Sequence, residues 1–306
     1  MRDDNRFRVA SITKMITATA VMRLVERGEL GLDTPVVDVL DSDARPASVT
    51  PAMTVHHLLS HTSGLANYHA EDDETFDAFM ASWDVVPPHR AREPEDLLPL
   101  FANKSPHFAP GSGFSYGDVN YIMLGMVLGA VKSSTFRLVA TEEVLVPAGM
   151  SSSGFEDLDA DPHDLAVGYQ ISDSPAALWP TNTYSNPVGG MPDGGLIATA
   201  ADLCRFIEAF RSDRLVTEES RAKMLTSHGR INDDLEHYGY GMEMWLDERS
   251  AVRIFGHAGG DPGVSGIVSH FVDAETTIVV LCNHDRGSWT VSQQLAEALR
   301  IEEPRK

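Results

Sequence analysis

A serine and a lysine stand three residues apart near the amino-terminal end of the chain, at Ser11 and Lys14. The residues after Lys14 are mostly apolar as far as Val25, which predicts a buried helix that begins at Ser11 and ends near Gly28. On a helix, residues three apart share a face. A serine hydroxyl becomes a nucleophile only when a base removes its proton, and a partly desolvated lysine can be that base or tune another. The pair is therefore a candidate for nucleophilic catalysis.

The same pair also has an ordinary structural interpretation. Serine is common at helix N-caps, and a lysine can lie along the surface with its ammonium group in water. A Ser-x-x-Lys match is expected about once by chance in a chain of this length. A second copy, Ser220 to Lys223, lies in the polar stretch that starts at Thr217, where the pattern predicts an acidic helix start. The spacing alone therefore does not choose between Ser11 and Ser220.

The elements that would position these residues change in type along the chain. After the first helix, the pattern predicts short helices and loops as far as Val146, then a helix capped by Thr199. From Tyr238 onward, strands are predicted at 240–246, 252–257, 266–272 and 276–283, with a last helix over 291–301. We therefore predict an α/β (α+β) fold, in which helices flank an antiparallel sheet and a mainly helical domain is inserted. The predicted division is a sheet domain at 1–50 and 196–306, and a helical domain at 51–195.

Composition limits the possible partners. The 306 residues are 42% hydrophobic and carry a formal net charge of −21, which argues against nucleic acid and anionic membrane surfaces as partners. No apolar run is long enough to cross a bilayer, and the amino terminus lacks the apolar core of a signal peptide. We expect a cytoplasmic protein as given, or an exported one if the natural amino terminus is longer.

Two patterns resemble metal sites without completing one. His57 and His61 are four residues apart, but the glutamate between the histidines of a zinc protease helix is missing and no third ligand is evident. Aspartates alternate at 157, 159 and 161 like the start of a calcium loop, but Pro162 and Gly168 occupy positions that need glycine and a bidentate acid. We predict packing and turn hydrogen bonds for the histidines, a solvated loop for the acids, and neither metal nor cofactor.

Six motifs occur in a fixed order along the chain: FRVASITK at 7–14, HTSGL at 61–65, PG…FSYGDVNY…LG at 110–125, PAGM at 147–150, GGL…TAADLCRF at 194–206 and GHAGGDPG at 256–263. In these motifs the chain resembles the serine β-lactamase and penicillin-binding-protein superfamily. It is most similar to the branch that holds class C β-lactamases, D-alanyl-D-alanine carboxypeptidases, D-aminopeptidases and related esterases. The resemblance runs from about residue 7 to 299, implies a β-lactamase/transpeptidase-like fold, and favours Ser11 over Ser220.

The resemblance also implies roles for individual residues. Ser11 would attack a carbonyl group and form an acyl-enzyme that water later hydrolyses. Tyr116 would match the tyrosine of the second motif, with its phenolate stabilised by Lys14, and would exchange protons with Ser11 and the leaving group. The backbone N–H groups of Ser11 and Gly260 would form the oxyanion hole. The substrate-binding and oxyanion positions would be Asp118, His257, Gly259 and Gly260.

One competing match to the second motif, and two residues that differ from those of the family, bear on this assignment. Tyr184-Ser185-Asn186 matches the second motif literally, but Tyr116 has the fitting flanks, a Pro-Gly turn before it and a helix after it. Asp118 stands where the family has asparagine, and an ionised carboxylate can only accept hydrogen bonds. His257 stands where β-lactamases have lysine. Both departures favour an esterase or a D-amino-acid peptidase over an antibiotic-resistance enzyme.

We therefore predict a serine hydrolase that acts on an ester or amide in a small molecule or short peptide. Two alternatives stay open: a β-lactamase or D-alanyl-D-alanine carboxypeptidase, and a catalytically silent binding or scaffold protein with the same fold. Only six residues precede Phe7, whereas family members have a helix and two strands of the same sheet there. We expect an uncovered sheet edge at that place, covered by a neighbouring chain in a homo-oligomer.

Overall fold

An antiparallel sheet of six strands occupies the carboxyl-terminal part of the fold. A computed structural model describes residues 2, 4–68, 81–160, 162–171, 181–182, 185–231 and 236–301. The strands pair in chain order: β3 (Gly229–Arg230), β4 (Glu236–Tyr238), β5 (Glu243–Leu246), β6 (Val252–Asp261), β7 (Val264–Phe271) and β8 (Thr276–Cys282). Two further strands, β1 (Phe7–Arg8) and β2 (Ile197–Ala198), form a separate antiparallel pair.

Helices account for most of the remaining regular structure. They are α1 (Thr13–Glu26), α2 (Val55–Leu59), α3 (Asp118–Lys132), α4 (Phe136–Ala148), α5 (Ala200–Arg211), α6 (Glu218–Met224) and α7 (Ser288–Ala298). Helix α4 contains a π-helical turn at Thr141–Leu145. Within the described ranges no helix by itself has both the length and the apolarity to cross a bilayer. Only α3 and α4 taken together meet that criterion, and they are bent by 85°.

Helix α1 is the centre of the core. Every residue from Thr13 to Met22 is buried, as expected for a helix that is apolar on most sides. It contacts α3, which is also buried along most of its length. The carboxamide oxygen of Asn67 accepts the first two N–H groups of α3 at 3.1 and 3.4 Å, and such a contact fixes where a helix begins.

The structure confirms the predicted fold class and refines its boundaries. The four predicted strands and the first and last helices are present, but β6 continues to Asp261 rather than ending at His257. The short strands β1 to β4 were not predicted, because segments of two or three residues carry too little periodicity to be recognised. Short helices and loops were predicted as far as Val146, and the last helix of that stretch, α4, reaches Ala148. The division into a sheet domain and an inserted helical domain stays a prediction.

Candidate active site

A sharp turn presents Ser11 between β1 and α1. The 3₁₀ turn Ala10–Ile12 begins with a buried alanine whose φ is +46°, a left-handed conformation that costs energy for any residue with a Cβ. Hydrogen bonds around the turn hold this conformation, since the Val9 N–H donates to the carbonyl oxygen of Leu196 at 3.1 Å. Ser11 is half-buried and lies where the turn leads into α1. Strain of this kind persists only where the surrounding structure maintains it.

Lys14 is completely buried beneath Ser11. Its ammonium group donates to Ser11 Oγ at 2.8 Å, to Asp118 Oδ1 at 2.6 Å and to the carbonyl oxygen of Asp193 at 3.0 Å. These three bonds use all its donors. Burial by itself would lower the pKa of Lys14, but Asp118, Tyr116 and Asp193 outweigh burial and raise it. In this arrangement the ammonium group of Lys14 donates a hydrogen bond to Ser11, and its raised pKa favours the charged form.

Tyr116 completes the group around Ser11. Its ring centroid lies 5.1 Å from Lys14 Nζ, and Ser11 is close enough to lower the pKa of its phenol. Burial raises the pKa of Tyr116 to about 12; Lys14 and Ser11 oppose this, while Asp118 adds to it. This raised pKa favours the protonated phenol at neutral pH, mainly because the ring is buried. The phenolate that the resemblance implies stays a prediction for the reacting form.

The HTSGL segment at 61–65 contacts Tyr116 through the ring of His61. The ring of His61 packs against that of Tyr116, with 4.5 Å between the centroids. His61 Nδ1 accepts the Gly117 N–H at 3.2 Å and lies 3.2 Å from Asn120 Nδ2, so Nε2 carries the proton. Burial lowers the pKa of His61 well below its usual value and keeps it neutral. His57 instead contacts Thr54 at the start of α2, so the two histidines have separate packing and hydrogen-bonding roles, as predicted.

Two neighbouring glycines of β6 meet different surroundings. Gly259 is buried, and a Cβ on it would lie 2.2 Å from the carbonyl oxygen of Val9. Its missing side chain therefore allows β6 to approach the chain just before Ser11. Gly260 is exposed, and a Cβ on it would have no neighbour within 4 Å. Gly260 thus borders open space, whereas Gly259 packs against the chain before Ser11. The substrate and oxyanion roles expected of the two glycines stay predictions.

His257 lies in the interior, and its substrate-binding role stays a prediction. It is 1% exposed. Its Nδ1 lies 2.5 Å from the Ala258 carbonyl oxygen, a contact in which Nδ1 must donate, and its Nε2 lies 3.2 Å from the Tyr238 hydroxyl. Burial lowers the pKa of His257 to about 3, and burial raises the pKa of its neighbour Glu243 to about 8. Both groups are therefore uncharged at neutral pH, and the imidazole forms part of the wall behind Tyr116.

Two further acidic groups lie close to the Ser11–Lys14 pair. Asp193 is 6% exposed, and its Oδ2 is 3.4 Å from the Tyr68 hydroxyl. Burial raises the pKa of Asp193 to about 7; Asp118 adds to this and Lys14 opposes it. Asp261 follows Gly260 and forms an ion pair with Arg8 at 3.2 Å. With Asp118, three carboxylates therefore surround two cations in this region.

Comparison with known proteins places the chain in a family. The beta-lactamase family model matches residues 1–300. The chain belongs to the beta-lactamase family.

Relatives of this beta-lactamase-family chain include named hydrolases. It is 31% identical to esterase EstB of Burkholderia gladioli, over 98% of this chain and 82% of that protein. It is 26% identical to penicillin-binding protein 4* of Bacillus subtilis, over 94% of this chain and 63% of that protein. It is also 26% identical to a D-aminopeptidase of Cereibacter sphaeroides, over the whole of this chain but 55% of that protein. The chain therefore spans little more than half the length of two of these three relatives.

Solved structures agree with the family assignment. A penicillin-binding protein from Bacillus halodurans is 36% identical and superposes with a TM-score of 0.88, over 97% of this chain and 87% of that one. An octameric penicillin-binding protein homologue from Pyrococcus abyssi is 27% identical and has a TM-score of 0.81, over 97% of this chain and 67% of that one. The antiparallel sheet with flanking helices is thus the fold of this family.

The predicted site residues divide into two groups within the family fold. The structure brings Ser11, Lys14, Tyr116 and Asp118 together, and β6, the strand that carries Gly260, packs against the turn that holds Ser11. The imidazole of His257 is buried behind this group, with its ring centroid 6.2 Å from that of Tyr116. Tyr184 lies outside the described residues. The competing Ser220 lies inside α6 behind the Thr217 N-cap, and Lys223 pairs with Glu219 at the surface.

Sequence reasoning missed Asp193 and the ion pair of Arg8 with Asp261. Asp193 is the one charged residue between positions 185 and 201, in a stretch rich in glycine and proline. An isolated acid in such a turn is a signal that could have been noticed. The Arg8–Asp261 pair joins residues 253 positions apart, and no local pattern links them.

Proposed function

We propose that this chain is a serine hydrolase that cleaves an ester or amide through an acyl-enzyme on Ser11. The observation that carries the proposal is that the buried ammonium group of Lys14 donates to Ser11 Oγ at 2.8 Å and lies 5.1 Å from the ring centroid of Tyr116. Nucleophilic catalysis by a serine requires a neighbouring group that can exchange protons with its hydroxyl, and a nearby cation can tune that group. The half-buried position of Ser11 leaves it open to a substrate.

Acylation begins when Lys14 and Tyr116 together have lost one proton. Tyr116 Oη then takes the proton of Ser11 while Ser11 Oγ bonds to the carbonyl carbon. The carbonyl oxygen becomes an oxyanion that accepts the N–H groups of Ser11 and Gly260, and losing one such donor costs about 2.7–4 kcal/mol of transition-state stabilisation. Tyr116 finally gives its proton to the leaving group. The acyl group stays on Ser11 until water removes it.

Asp118 supports an esterase or D-amino-acid peptidase over a β-lactamase. An amide at this position would donate to a carbonyl oxygen of a peptide or β-lactam, whereas an ionised carboxylate only accepts. The names of the relatives in Burkholderia gladioli and Cereibacter sphaeroides, an esterase and a D-aminopeptidase, are consistent with this choice. β-Lactamase or D-alanyl-D-alanine carboxypeptidase activity is the alternative, and a silent scaffold is the second.

Intact-mass measurement tests the proposal. The purified chain is incubated with a short-chain p-nitrophenyl ester, a D-amino-acid amide and a chromogenic cephalosporin, and each is followed for product and for an acyl adduct. We expect ester or amide turnover above cephalosporin turnover, and fluorophosphonate labelling that Ser11→Ala abolishes. Ser220→Ala is the matched control and should label like the wild type. Labelling that survives Ser11→Ala would remove Ser11 from the mechanism, and no turnover of any substrate would favour the silent scaffold.

The choice of tyrosine has its own test. Tyr116→Phe removes the phenolic oxygen and should lower kcat/KM by about 10²–10⁴-fold, the range of general acid–base catalysis. Tyr184→Phe should leave kcat/KM within about threefold of the wild type, because most substitutions outside a reacting group have small effects. Loss of activity in the second variant alone would overturn the assignment.

A further inference from the structure

Asp118 and Ser11 are held by the same ammonium group. Lys14 Nζ lies 2.8 Å from Ser11 Oγ and 2.6 Å from Asp118 Oδ1. Two hydrogen bonds that diverge from one tetrahedral nitrogen place their acceptors roughly 4–5 Å apart. This separation is close to the span of one bridging water molecule. The Asp118 side chain is also 17% exposed, so solvent reaches part of it.

The other carboxylates of this region are arranged differently. Asp193 Oδ1 is buried from solvent, and Glu243 accepts the Ala258 N–H behind the wall of the cleft at 2.8 Å. Asp261 is paired with Arg8 and not with Lys14. Among the described acidic residues, Asp118 is therefore the one whose side chain shares a hydrogen-bonding cation with Ser11.

The backbone holds the Asp118 carboxylate in a defined place. Asp118 is the first residue of α3, and its N–H donates to Asn67 Oδ1 at 3.1 Å. A carboxylate has about four lone-pair sites on its two oxygens, so one bound to an ammonium group can still accept a proton from water. The amide of an asparagine cannot. The replacement of asparagine by Asp118 thus adds proton-accepting chemistry beside Ser11.

We propose that Asp118 is the general base that activates the water which hydrolyses the acyl-enzyme. This inference rests on the proposed function, and it assigns the two half-reactions to different residues, with Tyr116 serving acylation and Asp118 serving deacylation. The observation behind it is that one ammonium group binds both the Asp118 carboxylate and the Ser11 hydroxyl oxygen.

The step balances without a further reactant. A water molecule gives one proton to Asp118 while its oxygen bonds to the acyl carbon, and the carbonyl π electrons move to the oxygen held by the N–H groups of Ser11 and Gly260. When those electrons return, the bond from the acyl carbon to Ser11 Oγ breaks, and Oγ takes a proton from Lys14. Asp118 returns its proton to Lys14. The carboxylic acid product leaves, and the resting state is restored.

Asp118→Asn separates the two half-reactions. It keeps the shape of the side chain and removes both its negative charge and its ability to accept a proton. With a p-nitrophenyl ester in a stopped-flow experiment, we expect a burst of about one nitrophenolate per enzyme that is not slower than in the wild type. The steady-state rate should fall by about 10²–10³-fold, within the range of general base catalysis. Intact-mass spectra should show the acyl group accumulating on the enzyme.

Glu143→Gln is the matched control. Glu143 is also an ion-paired carboxylate with a mostly buried side chain, and it also binds a cation of α1, Arg23, but at the far end of the helix. This variant should show the burst and steady-state rates of the wild type. Formate added to Asp118→Ala should restore part of the steady-state rate, which a merely structural role of Asp118 would not allow. If Asp118→Asn does not fold, Asp118→Glu keeps the charge beside Lys14 and should retain part of the hydrolysis rate.

The outcomes separate this inference from the function on which it rests. A wild type that forms no adduct and turns over no substrate would defeat the proposed function, and this step with it. A wild type that forms the adduct, with Asp118→Asn hydrolysing it at the same rate, would overturn only the role of Asp118. A burst and a steady state that fall together in Asp118→Asn would assign Asp118 to positioning Lys14.

Discussion

The ammonium group of Lys14 interacts with three different side chains. Its ammonium donates to Ser11 and to Asp118, and it lies near the ring of Tyr116. A carboxylate at 2.6 Å competes with the phenol for the stabilising effect of the cation. In the proposed mechanism, the residue at position 118 therefore controls how readily Tyr116 loses its proton, and so how fast Ser11 is acylated.

The first prediction at the residue scale concerns pH. The reacting form lacks one proton of the Lys14–Tyr116 pair, and the pKa of Tyr116 is raised to about 12, so the acylation rate should rise continuously from pH 6 to at least about pH 9. Asp118→Asn removes a negative charge that raises the pKa of both groups. The rise should then move to lower pH by about one unit or more. Stopped-flow burst rates across this range measure it, and an unchanged or alkaline-shifted profile would contradict it.

The second prediction concerns Asp193. Burial raises the pKa of Asp193 from 3.8 to about 7, so the folded state holds a proton that the unfolded state releases. Its destabilising effect is therefore absent below about pH 4 and grows as the pH rises to about 7. Asp193→Asn removes the carboxylate and should raise the free energy of unfolding at pH 8 by about 1–3 kcal/mol, with little change at pH 4. Urea unfolding at the two pH values checks this, and equal effects at both would refute the titration.

At the scale of elements, the approach of β6 to the turn at Ala10–Ile12 determines the site. Gly259 allows the strand to lie against the carbonyl oxygen of Val9, and Gly266 of β7 leaves room for Ile12. The two glycines face each other in the register of β6 and β7. The sheet can therefore reach the chain just before Ser11, and this contact places Gly260 beside the turn.

The two adjacent glycines give a matched prediction. Gly259→Ala puts a Cβ 2.2 Å from the Val9 oxygen, a backbone contact that only a shift of the strand can relieve. It should destabilise the fold by about 2–4 kcal/mol and lower the melting temperature. The Cβ of Gly260→Ala would have no neighbour within 4 Å. The free energy of unfolding of this variant should lie within about 0.5 kcal/mol of the wild-type value. Equal melting temperatures for the two variants would show that β6 does not approach the turn so closely.

At the scale of the whole molecule, one edge of the sheet lacks the features that prevent pairing with another strand. Among the described residues β8 pairs with β7 alone, and its sequence, TTIVVLC, carries no charge or proline to prevent pairing with another strand. Helix α7, which packs on β7 and β8, has apolar side chains that are 41–57% exposed, at Trp289, Val291, Leu295 and Leu299. Exposed apolar residues grouped on one helix mark surfaces that partners cover.

We therefore predict a homo-oligomer that buries α7. Sedimentation velocity should give a species larger than the 33.4 kDa chain. Leu295→Glu combined with Leu299→Glu should convert it to the monomer, because two charges would have to be desolvated at the contact. A matched pair of charges in α6, away from this face, should leave the sedimentation coefficient unchanged. A wild type that sediments as a monomer at micromolar concentration would exclude this assembly.

The sequence by itself determined the elements and their order. Helix α1, the four longer strands and the last helix could be predicted because hydrophobic periodicity is a local property of the chain. The motifs selected Ser11, Lys14 and Tyr116 because residue types and the motifs around them can be identified from the sequence alone. The edges of β6 and the shortest strands could not be placed, because tertiary pairing and not propensity decides them.

Only the tertiary structure decided what these side chains do to one another. Lys14 meets Asp118 across 104 residues and the backbone of Asp193 across 179, and such contacts depend on how α1, α3 and the sheet pack. The same packing turns His257 into the interior and leaves Gly260 open. Protonation follows from it as well, since burial and neighbouring charges, which no local pattern records, set the pKa of Tyr116 and of Asp193.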